Sequence, residues 1–162
     1  MKRCVVPGSF DPITLGHIDM ITRAGQLFDE VTVLLLKNDA KRGMFTEEQR
    51  LNFLQSSVAD IKNARVESYD GLLCDYLRQN SMRHVVRGVR NTTDFNAEML
   101  YFAANRAVMP EIEILFMPSP AHLSHISSSL IREILSYSGD AGKFVPKQID
   151  GEIKRLTGHK AD

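Results

Sequence analysis

Three short stretches of this chain combine side chains and backbone able to hold a polyanion. The first is Pro7-Gly8-Ser9-Phe10-Asp11-Pro12-Ile13-Thr14-Leu15-Gly16-His17. It lacks both the spacing of a GxGxxG dinucleotide loop and the Gly-Lys-Ser/Thr ending of a P-loop. Gly8 permits close approach of backbone to a ligand, and Gly16 leaves room beside His17, whose imidazole falls at a predicted helix start where amide dipoles favour an anion. Taken alone, these residues fit equally well a turn shaped by Pro7, Gly8 and Gly16 with His17 packing or capping. The second stretch, Arg87-Gly88-Val89-Arg90, sets two guanidinium forks around a glycine at the end of an apolar strand, and such forks match phosphate oxygens in pairs. Ion pairs to Asp94 or Glu98 would explain either arginine singly, whereas the two together favour a ligand. The third, Ser124-His125-Ile126-Ser127-Ser128-Ser129, offers hydroxyls and free amides ahead of Leu130, as a helix N-cap or a second phosphate cradle. Lys41 and Arg42 add cationic charge after the second predicted strand.

These stretches can meet only if strands deliver them to one edge. Residues 3–6 read as a buried strand closed by Pro7-Gly8, followed by a helix whose apolar face carries Ile18, Ile21, Leu27 and Phe28 with small Ala24 and Gly25 between. The continuous apolar run 31–36 has the character of a parallel strand covered on both faces. Thr46 with Gln49 has the form of a capping box, and Leu51, Leu54 and Val58 continue at helical spacing. Strands at 65–68, 84–87 and 114–117 then alternate with helices at 72–80 and 95–107, and two helices, 130–136 and 147–156, end the chain. The alternation predicts an α/β fold: a single domain over residues 1–162, Rossmann-like and doubly wound, with a five-stranded parallel sheet and C-terminal helices. In such a sheet ligands bind beyond the carboxyl ends of the strands, where the first and second stretches and Lys41-Arg42 fall.

Composition narrows the partners. The 20 basic and 20 acidic residues cancel, so no global field draws in nucleic acid or an anionic membrane, and an anion site must be built locally. Cys4 and Cys74 form no CxxC pair and suit two thiols in a reducing, cytoplasmic setting. The opening residues hold no apolar stretch long enough for a signal peptide or a membrane span. His122 and His125 lack a third ligand at suitable spacing, so no metal site is expected. Sequence order shows neither a Ser-His-Asp nor a Cys-His arrangement, and covalent catalysis is not indicated.

The run from Gly8 to Gly16-His17, taken with Ile126-Ser127-Ser128-Ser129, resembles the T/HxGH and ISSS motifs of the nucleotidylyltransferase superfamily. Within it, Lys41 followed by Met44-Phe45-Thr46, and Arg87-Gly88-Val89-Arg90 followed by Asp94-Phe95 and Glu98, resemble the bacterial phosphopantetheine adenylyltransferases over nearly the whole chain. The resemblance implies reversible transfer of the adenylyl group of ATP to 4′-phosphopantetheine, giving dephospho-coenzyme A and pyrophosphate by in-line attack without a covalent enzyme intermediate. It also implies Mg²⁺, a homohexamer and coenzyme A as feedback inhibitor. Acceptor binding then falls on Ser9, Lys41, Leu73 and Arg87. ATP binding falls on Ser9, Phe10, His17, Gly88, Val89, Arg90, Glu98, Leu123, Ser124, His125, Ile126, Ser127, Ser128 and Ser129. Catalysis falls on His17 as transition-state stabiliser, with Lys41, Arg90 and Ser128. Two positions depart from the family pattern: Ala97 stands where an aromatic often precedes the glutamate, and Leu123 where one often precedes the serine run, so adenine packing is expected to differ. Nicotinate mononucleotide or glycerol phosphate as acceptor, and a nucleotide-binding module without turnover, are the competing readings.

Overall fold

A computed structural model describes residues 1–37 and 43–158. Its elements alternate along the chain as β1 (Arg3–Gly8), α1 (Leu15–Leu27), β2 (Glu30–Leu36), α2 (Glu47–Val58), β3 (Ala64–Tyr69), α3 (Leu73–Gln79), β4 (His84–Val89), α4 (Thr92–Val108), β5 (Glu113–Pro118), α5 (Ser128–Ser136) and α6 (Lys147–Leu156). The five strands form one parallel sheet in the order β3-β2-β1-β4-β5. The chain winds outward from β1 to β3, then crosses back to build β4 and β5 on the other side. The connections leaving β1 and β4 therefore run to opposite faces and open a crevice between them.

Side-chain alternation divides the core in two. Cys4 and Val6 of β1 face one cluster with Val33, Leu35, Ile21, Phe53, Ile131 and Ile153, whereas Val5 faces a second with Leu34, Val85, Leu73, Leu77 and Ile112. Helices α1, α2, α5 and α6 contribute to the first cluster, and α3 contributes to the second.

The strands run further than the apolar pattern predicts. Pro7 and Gly8 are part of β1, in register with Leu34 and Leu35, and not a turn; β4 likewise continues through Gly88 and Val89, paired with Met117 and Pro118. The predicted apolar face of α1 also needs correction. Its buried residues are Met20, Ile21 and Ala24, while Leu27 is exposed and Phe28 is the buried C-cap beyond the helix. The capping box at Thr46 and Gln49 forms as read, with Gln49 N–H donating to Thr46 Oγ1 (3.2 Å) and Thr46 N–H donating to Gln49 Oε1 (2.8 Å). Among the described residues no helix is long and apolar enough to cross a membrane.

Candidate active site

An open cleft of about 380 Å³ lies at the switch between β1 and β4. His17 sits in the first turn of α1, where Thr14 is the N-cap. Thr14 N–H donates to His17 Nδ1 (3.0 Å), and His17 N–H donates to Thr14 Oγ1 (3.2 Å). This is a capping box in which histidine replaces the usual Glu or Gln. Because Nδ1 accepts, the neutral ring carries its hydrogen on Nε2 and offers it to the cleft. Burial, together with the positive charges of Arg87 and Arg90, pushes the His17 pKa down to about 4, so the neutral form dominates at physiological pH. Phe10 stands edge-on to the imidazole at 5.1 Å, and its φ of 44° lies in the left-handed region that few residues adopt. Gly8 makes room for it: a Cβ there would come within 3.0 Å of the Phe10 ring.

Both arginines of the second stretch line the cleft, and both are paired. Arg87 Nε and Nη2 donate to Glu98 Oε2 (2.8 Å) and Oε1 (2.6 Å), its Nη1 donates to Pro7 O (2.8 Å), and its guanidinium lies over Tyr101. Arg90 Nε and Nη2 donate to Asp94 Oδ2 (2.7 Å) and Oδ1 (3.1 Å), and these bonds hold the Asp94 carboxyl below its usual range. The ion pairs considered as an alternative to a ligand thus exist at both positions. They also keep two bidentate forks pre-shaped at the cleft wall, where phosphate oxygens can compete for the same N–H groups. Arg90 Nη1 further donates to Ile126 O (3.2 Å), tying the second stretch to the third.

The serine run divides its work. Ser127 is the N-cap of α5, accepting from Leu130 N–H (3.0 Å), and Ser128 Oγ donates to Pro12 O (2.8 Å). Ser129 Oγ accepts from Arg132 Nη2 (3.1 Å), and Arg132 Nη1 donates to Asp11 O (2.7 Å).

Of the predicted site residues, the cleft is lined by Ser9, Phe10, His17, Arg87, Gly88, Arg90, Glu98, Ile126, Ser127, Ser128 and Ser129. Val89, Leu123, Ser124 and His125 lie off that lining. Leu123 packs against the first core cluster, Ser124 Oγ donates to Ala121 O (2.9 Å), and His125 meets Phe144 edge-on. Leu73 is buried in the second core cluster, packed with α3 rather than lining the cleft. Lys41 lies outside the described residues. Ala97, where the resemblance leads one to expect an aromatic, does line the cleft. Sequence reasoning overlooked Arg132 and Thr14, which also line it. Arg132 was findable, since it falls three and four residues after Ser129 and Ser128 and so shares their helix face. Among the described residues no group of three or more His, Cys, Asp or Glu side chains is placed to hold a metal.

Residues 5–134 match the Cytidylyltransferase-like family. Three proteins named phosphopantetheine adenylyltransferase are similar along nearly their whole length. That of Shouchella clausii is 41% identical over 156 residues (96% of this chain, 98% of the relative). That of Staphylococcus carnosus is 39% identical over 157 residues (97% and 98%), and that of Clostridium perfringens 44% over 154 residues (95% and 94%). A crystal structure of a bifunctional NMN adenylyltransferase/ADP ribose pyrophosphatase from Francisella tularensis superposes with a TM-score of 0.73 over 98% of this chain and 49% of its own. At 16% identity that likeness speaks to the fold alone. The identities to the three full-length relatives, carried on the Rossmann-like sheet and its cleft, establish that the chain belongs to the phosphopantetheine adenylyltransferase family.

Proposed function

We propose that this chain transfers the adenylyl group of ATP to the phosphate of 4′-phosphopantetheine, giving dephospho-coenzyme A and pyrophosphate in coenzyme A biosynthesis, with the cleft between β1 and β4 as its active site. The observation that carries the site assignment is the neutral His17, held with Nε2–H toward the cleft and flanked by the forks of Arg87 and Arg90.

The second pKa of a phosphomonoester is about 6, so the acceptor is already largely dianionic at neutral pH and needs no general base. The protein's task is then alignment and charge stabilisation. Lys41 and Arg87 hold the acceptor phosphate in line with the α-phosphorus. His17 and Ser9 donate to the oxygens of the transferring group as charge builds on them. Arg90, Arg132, Ser128 and Ser129 receive the departing pyrophosphate, while Phe10, Gly88, Glu98 and the residues around Ile126 seat the nucleotide. A bond forms between an acceptor phosphate oxygen and the α-phosphorus as the bond to the bridging oxygen breaks, and the electron pair leaves with pyrophosphate.

Mg²⁺ fits this donor set as an ion carried by the phosphate oxygens of ATP, where it would neutralise the triphosphate charge. The cleft carboxylates Asp94 and Glu98 are engaged by arginines, so they form no cage for it. We propose a homohexamer, supported by α4, whose 17 residues include none that is buried in the single chain. Coenzyme A, sharing the adenylyl and pantetheine groups of the product, is proposed as feedback inhibitor. Two free, buried cysteines fit a cytoplasmic setting.

The test is pyrophosphate release from ATP and Mg²⁺, with and without 4′-phosphopantetheine, on the wild type and on His17→Ala. Release that requires phosphopantetheine and collapses in the variant is expected. Release with another phosphate acceptor in its place would replace the substrate, and none with any acceptor would overturn the enzymatic reading.

A further inference from the structure

Asp11 is a buried carboxylate, 5% exposed, at the centre of the first loop. Its two oxygens accept from consecutive backbone amides 33 and 34 residues away, Met44 N–H to Oδ2 (2.9 Å) and Phe45 N–H to Oδ1 (3.0 Å). On its other side stands Arg132 of α5, with Nη1 3.8 Å from Oδ2 and bonded at 2.7 Å to the Asp11 carbonyl. One residue thus joins three segments: the loop that carries Phe10 into the cleft, the chain just ahead of α2, and the helix that presents Ser128 and Ser129. Gly43 approaches so closely that a Cβ there would lie 3.0 Å from Oδ2. Phe45 is itself buried, edge-on to Phe53 of α2 at 5.1 Å, so the amides that Asp11 grips are anchored in the core. A second tie runs in parallel, from Arg50 Nη1 of α2 to the Ser9 carbonyl (2.9 Å).

A carboxylate costs free energy to bury and keeps it only when charge and hydrogen bonds compensate. Asp11 has both, directed at two segments that the reaction needs to keep in register. Met44 follows Lys41 by three residues in sequence, whereas Arg132 and Ser129 belong to the pyrophosphate side of the cleft. We propose that Asp11 is a positioning residue, which fixes the chain at Met44 and Phe45, just ahead of α2, against the ATP-binding loop and α5 so that the acceptor and ATP sides of the cleft stay in register. The proposal rests on the adenylyltransferase reading above. It assigns Asp11 no contact with substrate; its effect passes through the Met44 and Phe45 amides and through Arg132.

Asp11→Asn tests this at nearly constant volume. It removes the charge facing Arg132 and turns an NH₂ group toward one of the two amides, so that donor meets donor. Misplacement of a reacting group by a fraction of an ångström lowers rate steeply, so the variant should raise KM for phosphopantetheine about tenfold and lower kcat, while KM for ATP moves less than about threefold. The acceptor effect should shrink in a Lys41→Ala background, because Lys41 lies three residues before Met44 in sequence and is the proposed acceptor contact. Gly43→Ala, which crowds Oδ2 from the other side, should shift the same parameter in the same direction and serves if Asp11→Asn does not fold. Equal rises in both KM values, or full additivity with Lys41→Ala, would overturn the positioning role while leaving the activity in place. A wild type that turns over no phosphopantetheine would overturn both.

Discussion

The backbone N–H of Thr14 donates to His17 Nδ1 and so selects the neutral tautomer whose hydrogen sits on Nε2. Desolvation of the same ring, with the positive charges of Arg87 and Arg90 added, is why its pKa falls from 6.5 to about 4. The sign of the linkage follows. Between pH 6.5 and about 4 the unfolded chain binds a proton that the folded protein refuses, so stability drops as pH falls through that window, at about 1.4 kcal/mol per pH unit. Above pH 6.5 the contribution vanishes, and below about 4 it levels off because both states are protonated. Urea unfolding at pH 7 and pH 4.5 should therefore show a smaller acid loss in His17→Asn than in the wild type; parallel losses would mean that the ring is not held neutral. A triphosphate placed beside the arginines reverses the local field, so saturating ATP should move the His17 titration, followed by its imidazole NMR resonance, back up toward 6.5. In catalysis His17→Ala should lower kcat far more than it raises KM, since its donor strengthens chiefly in the transition state. His17, Gly8 and the two arginines could be singled out in the sequence by their types and spacing at the ends of strands and helices, and all four line the cleft. The tautomer, the pairing of Arg87 with Glu98, and the joint work of Asp11 and Arg132 were not, because each depends on partners that only the fold brings together.

Thr14 shows the same limit one level up. A box of Thr46 and Gln49 announces α2 in the sequence, since both residue types are those the motif ordinarily uses. Thr14 with His17 caps α1 just as fully, yet a histidine at the third position carries no such signal, so the sequence left capping and ligand binding by His17 as equal alternatives. The residue does both jobs, so the helix start and the active-site geometry are one structure. Thr14→Ala should cost about 1 kcal/mol of unfolding free energy, typical for loss of an N-cap, because His17 N–H loses its acceptor in a position that is 2% exposed. Thermal unfolding of the variant with and without ATP measures it, and an unchanged Tm would remove the cap from the account of α1. Strand ends were the other miss. Pro7-Gly8 carries a strong turn signal, yet β2 pairs Leu34 and Leu35 with it and so carries β1 past the point, Val5, where its register with β4 ends. The loop proper begins only at Ser9, which brings the phosphate-facing backbone right up to the sheet edge.

The long helix α4 presents apolar side chains that the single chain leaves uncovered. Tyr101 and Phe102 pack partly against the second core cluster, but Phe95, Met99 and Leu100 are 41%, 41% and 75% exposed, and no residue of the helix is buried. A cluster of apolar side chains this exposed marks a face that a partner covers, and apolar surface contributes roughly 25 cal/mol per Å² when it is buried. In the proposed homohexamer a neighbouring copy supplies that cover. The consequence reaches the active site, because α4 also carries Asp94 and Glu98, the carboxylates that hold Arg90 and Arg87 in shape. Leu100→Asp places a charge on the most exposed apolar position of the helix, where it costs the isolated fold little but is costly in a dry interface. The expected result is a smaller species by light scattering, with an unchanged far-ultraviolet spectrum and a kcat that falls along with the mass, because a helix stripped of its outer partner holds the two arginines less firmly. An unchanged mass would put the interface elsewhere, and a dissociated variant that kept its full kcat would mean that the pairing of α4 with β4 needs no neighbour.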